Sequence, residues 1–210
     1  MSVLMIPYLK ELFPANPAII AGRLIVSGAV LSIDKINWKD FPHLPDVTVY
    51  LGYCDQRLWL HYVVANDFVR AVYRQDQEPV WQDSCLEFFV KKGDIYRNFE
   101  FNCLGVCLSA LGQDRNSREQ LDNVSMAQIL RFSSLTIDTL PIESVLTDWS
   151  LTVAIPLSLI GLNSENQFMA NFYKCGDKTK VPHYLSWSAI ETSTPNFHQP
   201  DYFAPLELVR

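Results

Sequence analysis

Nine short runs rich in Val, Leu, Phe and Tyr, each closed by turn-forming residues, constrain this chain more than any other feature. They cover residues 24–33, 47–54, 57–65, 84–90, 96–109, 149–156, 168–175, 183–189 and 206–210. Runs of this length, repeated with this punctuation, predict an all-β fold, a sandwich or a barrel, with one or two short helices. The link Cys54–Asp55–Gln56 predicts a hairpin between the second and third runs. Pro156 followed by "LSLIG" predicts a short helix that ends at Gly161, and the polar stretch 116–134 reads as a loop with a short helix. No repeat, low-complexity tract or linker divides the chain, so residues 1–210 are expected to form a single domain.

Composition excludes several classes of function. A content of 49% hydrophobic residues in 210 is enough to bury a full core. The net charge of -6, with Lys and Arg scattered, argues against nucleic acid as a partner. The five cysteines are odd in number and form no CxxC pair, so reduced thiols are expected; Cys103 and Cys107 would share a strand face rather than hold zinc. No run approaches the roughly 20 apolar residues of a membrane span. The N-terminus, with Pro7, Lys10 and Glu11, does not read as a secretory signal. The expectation is a soluble cytoplasmic protein with no membrane partner, or a secreted one if a leader has been trimmed.

The stretch "PVWQDSCLEFFV" (79–90) is unusual for a strand. With a period of two, Ser84, Leu86, Phe88 and Val90 take one side, and Trp81, Asp83, Cys85, Glu87 and Phe89 the other. In the next run Phe99, Phe101 and Cys103 share a side, leaving Tyr96, Asn98, Glu100 and Asn102 opposite. "KKGDI" (91–95) is short enough for a hairpin, which would set Glu87 opposite Asn98 or Glu100. An aromatic face beside rigid carboxylates and amides suits a sugar, whose ring offers C–H faces to the aromatic and hydroxyls to the polar groups. The outer face of an antiparallel sheet is also ordinarily polar, so alternation alone does not separate a site from a solvated surface.

The order "VWQDSCLEFFV", "NFEFN", "NFYKCGD" and "YLSWSAIETSTPNFHQPDYFAPLEL" resembles the family 9 carbohydrate-binding modules and their free-standing bacterial relatives over residues 20–210. The resemblance implies an antiparallel β-sandwich of immunoglobulin-like or jelly-roll type that binds the ends of plant-type glycans between two aromatic side chains. The first aromatic falls on Trp81 and the binding glutamate on Glu87. The family's "R-x-N" falls on Glu100 and Asn102, an acid standing where the family has arginine. The second tryptophan falls on Phe197, and a glutamine on Tyr173. Asp83 and Ser84 are expected to organise the start of the strand, and Trp187 to support the core. The resemblance also implies a structural calcium, whose ligand set is left unplaced, since Asp83, Asp94 and Asp114 read as generic acids. Apart from such a calcium, no cofactor is expected.

Two alternatives follow from the residues. Glu87 and Glu100 as neighbours could form the carboxylate pair of a retaining glycosidase, although no catalytic residue is assigned. His61 with Met126 or Met169 could ligate haem, as related sandwiches do. His43, His183 and His198 lack metal-ligand spacing, and the chain carries no nucleophile elbow, phosphate loop or dinucleotide fingerprint.

Overall fold

The computed structural model describes residues 2–10, 12, 16–143, 145–162 and 166–210. In chain order the elements are β1 (Leu4–Pro7), α1 (Pro17–Ser27), β2 (Ala29–Ser32), β3 (Lys35–Ile36), β4 (Asp46–Cys54), β5 (Arg57–Phe68), β6 (Cys85–Lys92), β7 (Ile95–Asn102), β8 (Cys107–Gly112), β9 (Arg118–Gln120), α2 (Asn123–Met126), β10 (Leu130–Ser133), β11 (Leu146–Pro156), β12 (Gln167–Cys175), β13 (Tyr184–Ser186) and β14 (Ala204–Val209). One sheet runs β1-β14-β12-β6-β7-β8-β9, with β13 and β3 continuing beside β12; the other runs β10-β11-β5-β4-β2. Among the strand pairs of the described residues, β1–β14 alone is parallel.

The two sheets face each other because their inward residues are apolar at period two. Leu86, Phe88, Val90, Phe99 and Phe101 of the first sheet meet Val49, Leu51, Leu60, Leu151 and Val153 of the second in one buried cluster. Phe88 stacks between Phe99 and Phe172, with ring centroids 6.0 and 5.0 Å away, and truncating a ring in that position costs about 3–5 kcal/mol. The β4–β5 hairpin closes with Asp55 at φ 47 and Gln56 at φ 63, the left-handed pair that matches the twist of the flanking strands.

The structure departs from the sequence reading in five places. Residues 24–27 end a helix rather than begin a strand. Asn16 accepts from the Ala18 N–H at 2.9 Å and Pro17 takes the first turn. Ile20 and Leu24 then cover Cys54 and Trp59 on the outer face of the second sheet. The run 96–109 is two strands, broken by a turn in which Gly105 takes φ +83. The stretch 116–134 holds β9 and β10 besides its short helix. Within 183–189 only Tyr184–Ser186 is strand. The helix expected after Pro156 is a 3-10 turn, Leu157–Ile160, stopped by Gly161 at φ +74. All five cysteines are free and buried. Among the described residues no helix is long and apolar enough to cross a membrane.

Candidate functional site

The outward face of the first sheet is not solvated. Tyr173, Glu87, Glu100 and Leu108 lie side by side across β12, β6, β7 and β8, and segment 190–203 folds over them. It supplies Ile190, Phe197 and Phe203 to a second buried cluster with Trp38, Phe89 and Tyr96. A cleft remains between this cover and the sheet. Glu87, Glu100 and Cys175 line it together with the rings of Trp81, Tyr184 and Phe197 and the charged groups of Arg115, Arg118 and Asp177.

The hairpin pairs Glu87 directly with Glu100, one of the two registers expected. Both are 3% exposed. The Cys175 thiol donates to Glu87 Oε1 at 3.1 Å, and Asn98 Nδ2 donates to Glu100 Oε1 at 2.9 Å, whereas Glu100 Oε2 has no partner. Burial, followed by repulsion from Glu100, pushes Glu87 well above the usual carboxylate range. Burial raises Glu100 to about 7 against the opposing pull of Arg118. Desolvation likewise raises Asp177 to about 6.

The other expected site residues divide. Trp81 reaches the cleft from a 3-10 turn, Val80–Gln82, that precedes β6. Strand alternation therefore does not place it; its carbonyl does, accepting from the Asp177 N–H at 3.4 Å. Phe197 lines the cleft, while Tyr173 sits behind it. The two rings are parallel at 9° with centroids 4.2 Å apart, and the Tyr173 hydroxyl donates to the Phe197 carbonyl at 3.2 Å.

Asn102 stands outside the cleft. Its Nδ2 donates to the Tyr73 carbonyl at 3.0 Å and to Asp83 Oδ2 at 3.1 Å, and its Oδ1 accepts from the Leu104 and Val106 N–H groups. It closes the β7–β8 turn. Asp83 is fully buried rather than solvated: it accepts from the Val72 and Tyr73 N–H groups at 3.0 Å and pairs with Arg70. Ser84 accepts from the Arg70 N–H and donates to the Phe68 carbonyl. Together they anchor the start of β6, as expected. Trp187 packs edge-on to Phe172 against the main core.

Sequence reasoning missed Arg115, Arg118, Asp177, Tyr184 and His198, which also line the cleft. Arg118 Nη1 donates to Asn98 Oδ1 at 2.7 Å, and His198 Nδ1 lies 2.9 Å from the Tyr96 hydroxyl. Burial lowers His198 to about 3, so it is neutral. Arg115 comes from the β8–β9 connection and Arg118 opens β9, a strand of three residues, too short for periodicity to mark a face. Asp177 lies in the turn just after β12 ends at Cys175, where strand alternation no longer applies.

Two groups of side chains have metal-ligating chemistry. Cys85, Glu87 and Cys175 bring their donor atoms within 4.8 Å of one another, as do His43, Asp67 and His183, which chain spacing had not joined. Burial raises the Cys85 thiol to about 12, so it is protonated at neutral pH. In the second group Lys174 Nζ already stands 3.1 Å from Asp67 Oδ2 and 2.7 Å from His183 Nε2. Asp114 accepts from Asn116 and Ser117 within its own exposed loop, and Asp94 is exposed. The haem alternative does not assemble. His61 pairs with Thr152 and stacks on Tyr50, Met126 lies in the main core, and Met169 is on β12 of the other sheet.

No curated protein sequence matches this chain. Residues 24–208 match the model of carbohydrate-binding family 9. Among solved structures, a candidate carbohydrate-binding protein from Bacteroides uniformis ATCC 8492 is 33% identical, with a TM-score of 0.87 over 99% of this chain and 100% of that one. Two family 9 carbohydrate-binding modules from Caldicellulosiruptor kristjanssonii share the fold. The one in complex with glucose has a TM-score of 0.60 at 10% identity, over 99% of this chain and 96% of that one. The one in complex with cellotriose has a TM-score of 0.60 at 12% identity, over 99% and 93%. With the family match spanning most of its length and a relative one-third identical along all of it, the chain belongs to carbohydrate-binding family 9.

Proposed function

We propose that the cleft binds the end of a sugar chain without cleaving it, with Trp81 and Phe197 stacking on the ring and Glu87 and Glu100 holding its hydroxyls. The observation that carries this reading is that Trp81, Phe197, Glu87 and Glu100 all line one cleft although they come from separate segments. A pyranose presents C–H faces to aromatic rings and hydroxyls to polar groups. A protonated carboxyl both donates and accepts, as a hydroxyl does, and burial favours that form of Glu87. Phe197 is fixed in advance by Tyr173 behind it, which reduces the ordering cost of binding. Tyr173 is therefore a positioning residue, and Asn102 acts further back through the β7–β8 turn. Glu100 stands where the resembled family carries arginine, and Arg118 restores a cation nearby.

Binding without turnover fits the carboxylates better than glycoside hydrolysis. A retaining enzyme sets an acid and an ionised nucleophile around the scissile bond. Here the two glutamates are paired neighbours on adjacent strands, both on the floor of the cleft, and burial pushes both upward.

Glucose and cellotriose, the sugars of the two Caldicellulosiruptor complexes, are the first ligands to test. Calorimetric titration with each, with reducing sugar assayed in the same samples, should give saturable heat and no release of sugar. Release from cellotriose would overturn the non-catalytic reading, and absence of binding across mono- and oligosaccharides would overturn the site.

A further inference from the structure

A second cavity lies on the opposite face of the strands that carry the glutamates. Val90 of β6, Arg97 of β7 and Leu111 of β8 are directly paired, so their side chains form a row on the inward face. Leu159 and Ile160, from the 3-10 turn that follows β11, close the row and leave a cavity of about 200 Å³. Its walls are mostly aliphatic, and the polar atoms near its edge are spoken for in part: Lys92 Nζ donates to the Gly161 carbonyl at 2.5 Å.

Arg97 is the exception. Its Nε and Nη1 are enclosed and have no hydrogen-bond partner among the described residues. Asp122 and Glu119 act on the guanidinium only through their fields, and burial pushes its pKa below the ordinary arginine value. A guanidinium nevertheless keeps its proton in proteins. A charged donor withdrawn from water without an acceptor is costly, more so than a neutral one, and an anion is the group that offsets both the charge and the missing acceptor.

We propose that this cavity is a binding site for a small organic carboxylate with an apolar body. Its carboxylate accepts from the orphaned Arg97 N–H groups, and its hydrocarbon lies among Val90, Leu111, Leu159 and Ile160. A cavity of about 150 Å³ holds benzene, so this one has room for a body of about six to eight carbons. The site is separated from the sugar cleft by the thickness of the sheet, and it stands whether or not the cleft binds sugar.

Octanoate is the probe and 1-octanol its uncharged comparator, each titrated into the whole protein and into Arg97→Gln, with calorimetry as the readout. Octanoate should saturate the wild-type protein. It should bind at least about tenfold more tightly than 1-octanol, and Arg97→Gln should weaken it by at least about tenfold, the effect of one charge-assisted hydrogen bond. Thermal unfolding of the variant checks that it is native. Failure of octanoate to saturate, equal affinity for octanol, or undiminished binding by a folded Arg97→Gln would each overturn the proposal; the last two would leave an apolar cavity whose arginine is satisfied by water.

Discussion

Consecutive residues of β12 contribute to two buried ionisable clusters that face opposite ways. Lys174 turns inward, where its ammonium meets Asp67 Oδ2 at 3.1 Å, His183 Nε2 at 2.7 Å and the Cys175 carbonyl at 3.1 Å, while the Trp149 indole donates to the same Asp67 oxygen. Cys175 turns outward, where its thiol donates to Glu87 beside Glu100. Each cluster leaves one carboxylate oxygen unpartnered, Asp67 Oδ1 and Glu100 Oε2. Hydrogen-bond satisfaction is therefore not what separates them. Charge and access are: opposite charges sealed in the interior hold the fold, whereas two acids that share a cleft, and that burial pushes toward their protonated forms, are poised for a ligand.

The largest effect should come from unbalancing the sealed cluster. Lys174→Met strands Asp67 as an uncompensated buried charge, which costs about 3–5 kcal/mol. Urea unfolding should show the loss, and Lys174→Met with Asp67→Asn should recover much of it. A single-variant loss below about 1 kcal/mol would mean that the two clusters do not differ in this way.

Next in size is a pH dependence of opposite sign in the two clusters. Asp67 is held below its ordinary value by Lys174 and His183 despite burial. Its contribution is present above pH 3.8 and is lost as pH falls through the lower native pKa. Glu100 is raised from 4.5 to about 7. The native state thus holds a proton that the unfolded state has released, and stability falls as pH rises from 4.5 to 7, by roughly 3 kcal/mol for this group alone. Glu100→Gln should flatten that fall and make the protein more stable than wild type at pH 8. A flat wild-type profile between pH 4.5 and 7 would remove the distinction.

How much of this was legible in the sequence depended on whether a residue sat in a regular element. Leu86, Phe88 and Val90 face the core because period two holds along β6, and the short "KKGDI" link brought Glu87 to Glu100. Trp81 precedes the strand in a 3-10 turn, so extending period two back to it set it beside Glu87, where the cleft does hold it, without the geometry that carries it there. Residues 24–27 looked like strand because Ile25 and Val26 are β-branched, and the competing signal was Asn16 and Pro17 upstream. Alternation left open whether the polar face was a site or a solvated surface; it is buried because segment 190–203 covers it, a long-range event that no local pattern encodes. Arg115 approaches from a loop and Arg118 from the three-residue strand β9, and Asp67 meets His183 across the fold, so none of these could be found by spacing.

A smaller effect separates the two aromatic platforms. Trp81 is half-buried, so Trp81→Ala should weaken sugar binding by about 2 kcal/mol, roughly thirtyfold, while unfolding stability moves by about 1 kcal/mol or less. Phe197 is 8% exposed and stacked on Tyr173, so Phe197→Ala should cost both affinity and about 3 kcal/mol of stability. A large fall in stability for Trp81→Ala would make that ring packing rather than platform.

The smallest expected effect is none at all, from removing metal. Stacking and hydrogen bonding to hydroxyls draw on no cation, and both sets of metal-ligating side chains are engaged within the protein. The Cys175 thiol donates to Glu87, and Lys174 places its own positive charge between Asp67 and His183. Dialysis against a chelator should leave both the melting temperature and the sugar affinity unchanged, with no metal found by elemental analysis. A melting temperature that falls on chelation and returns with calcium would reveal a stabilising ion elsewhere. Loss of sugar affinity restored by zinc would instead point to Cys85, Glu87 and Cys175, and would turn the floor of the cleft from a pair of hydrogen-bonding acids into a metal centre.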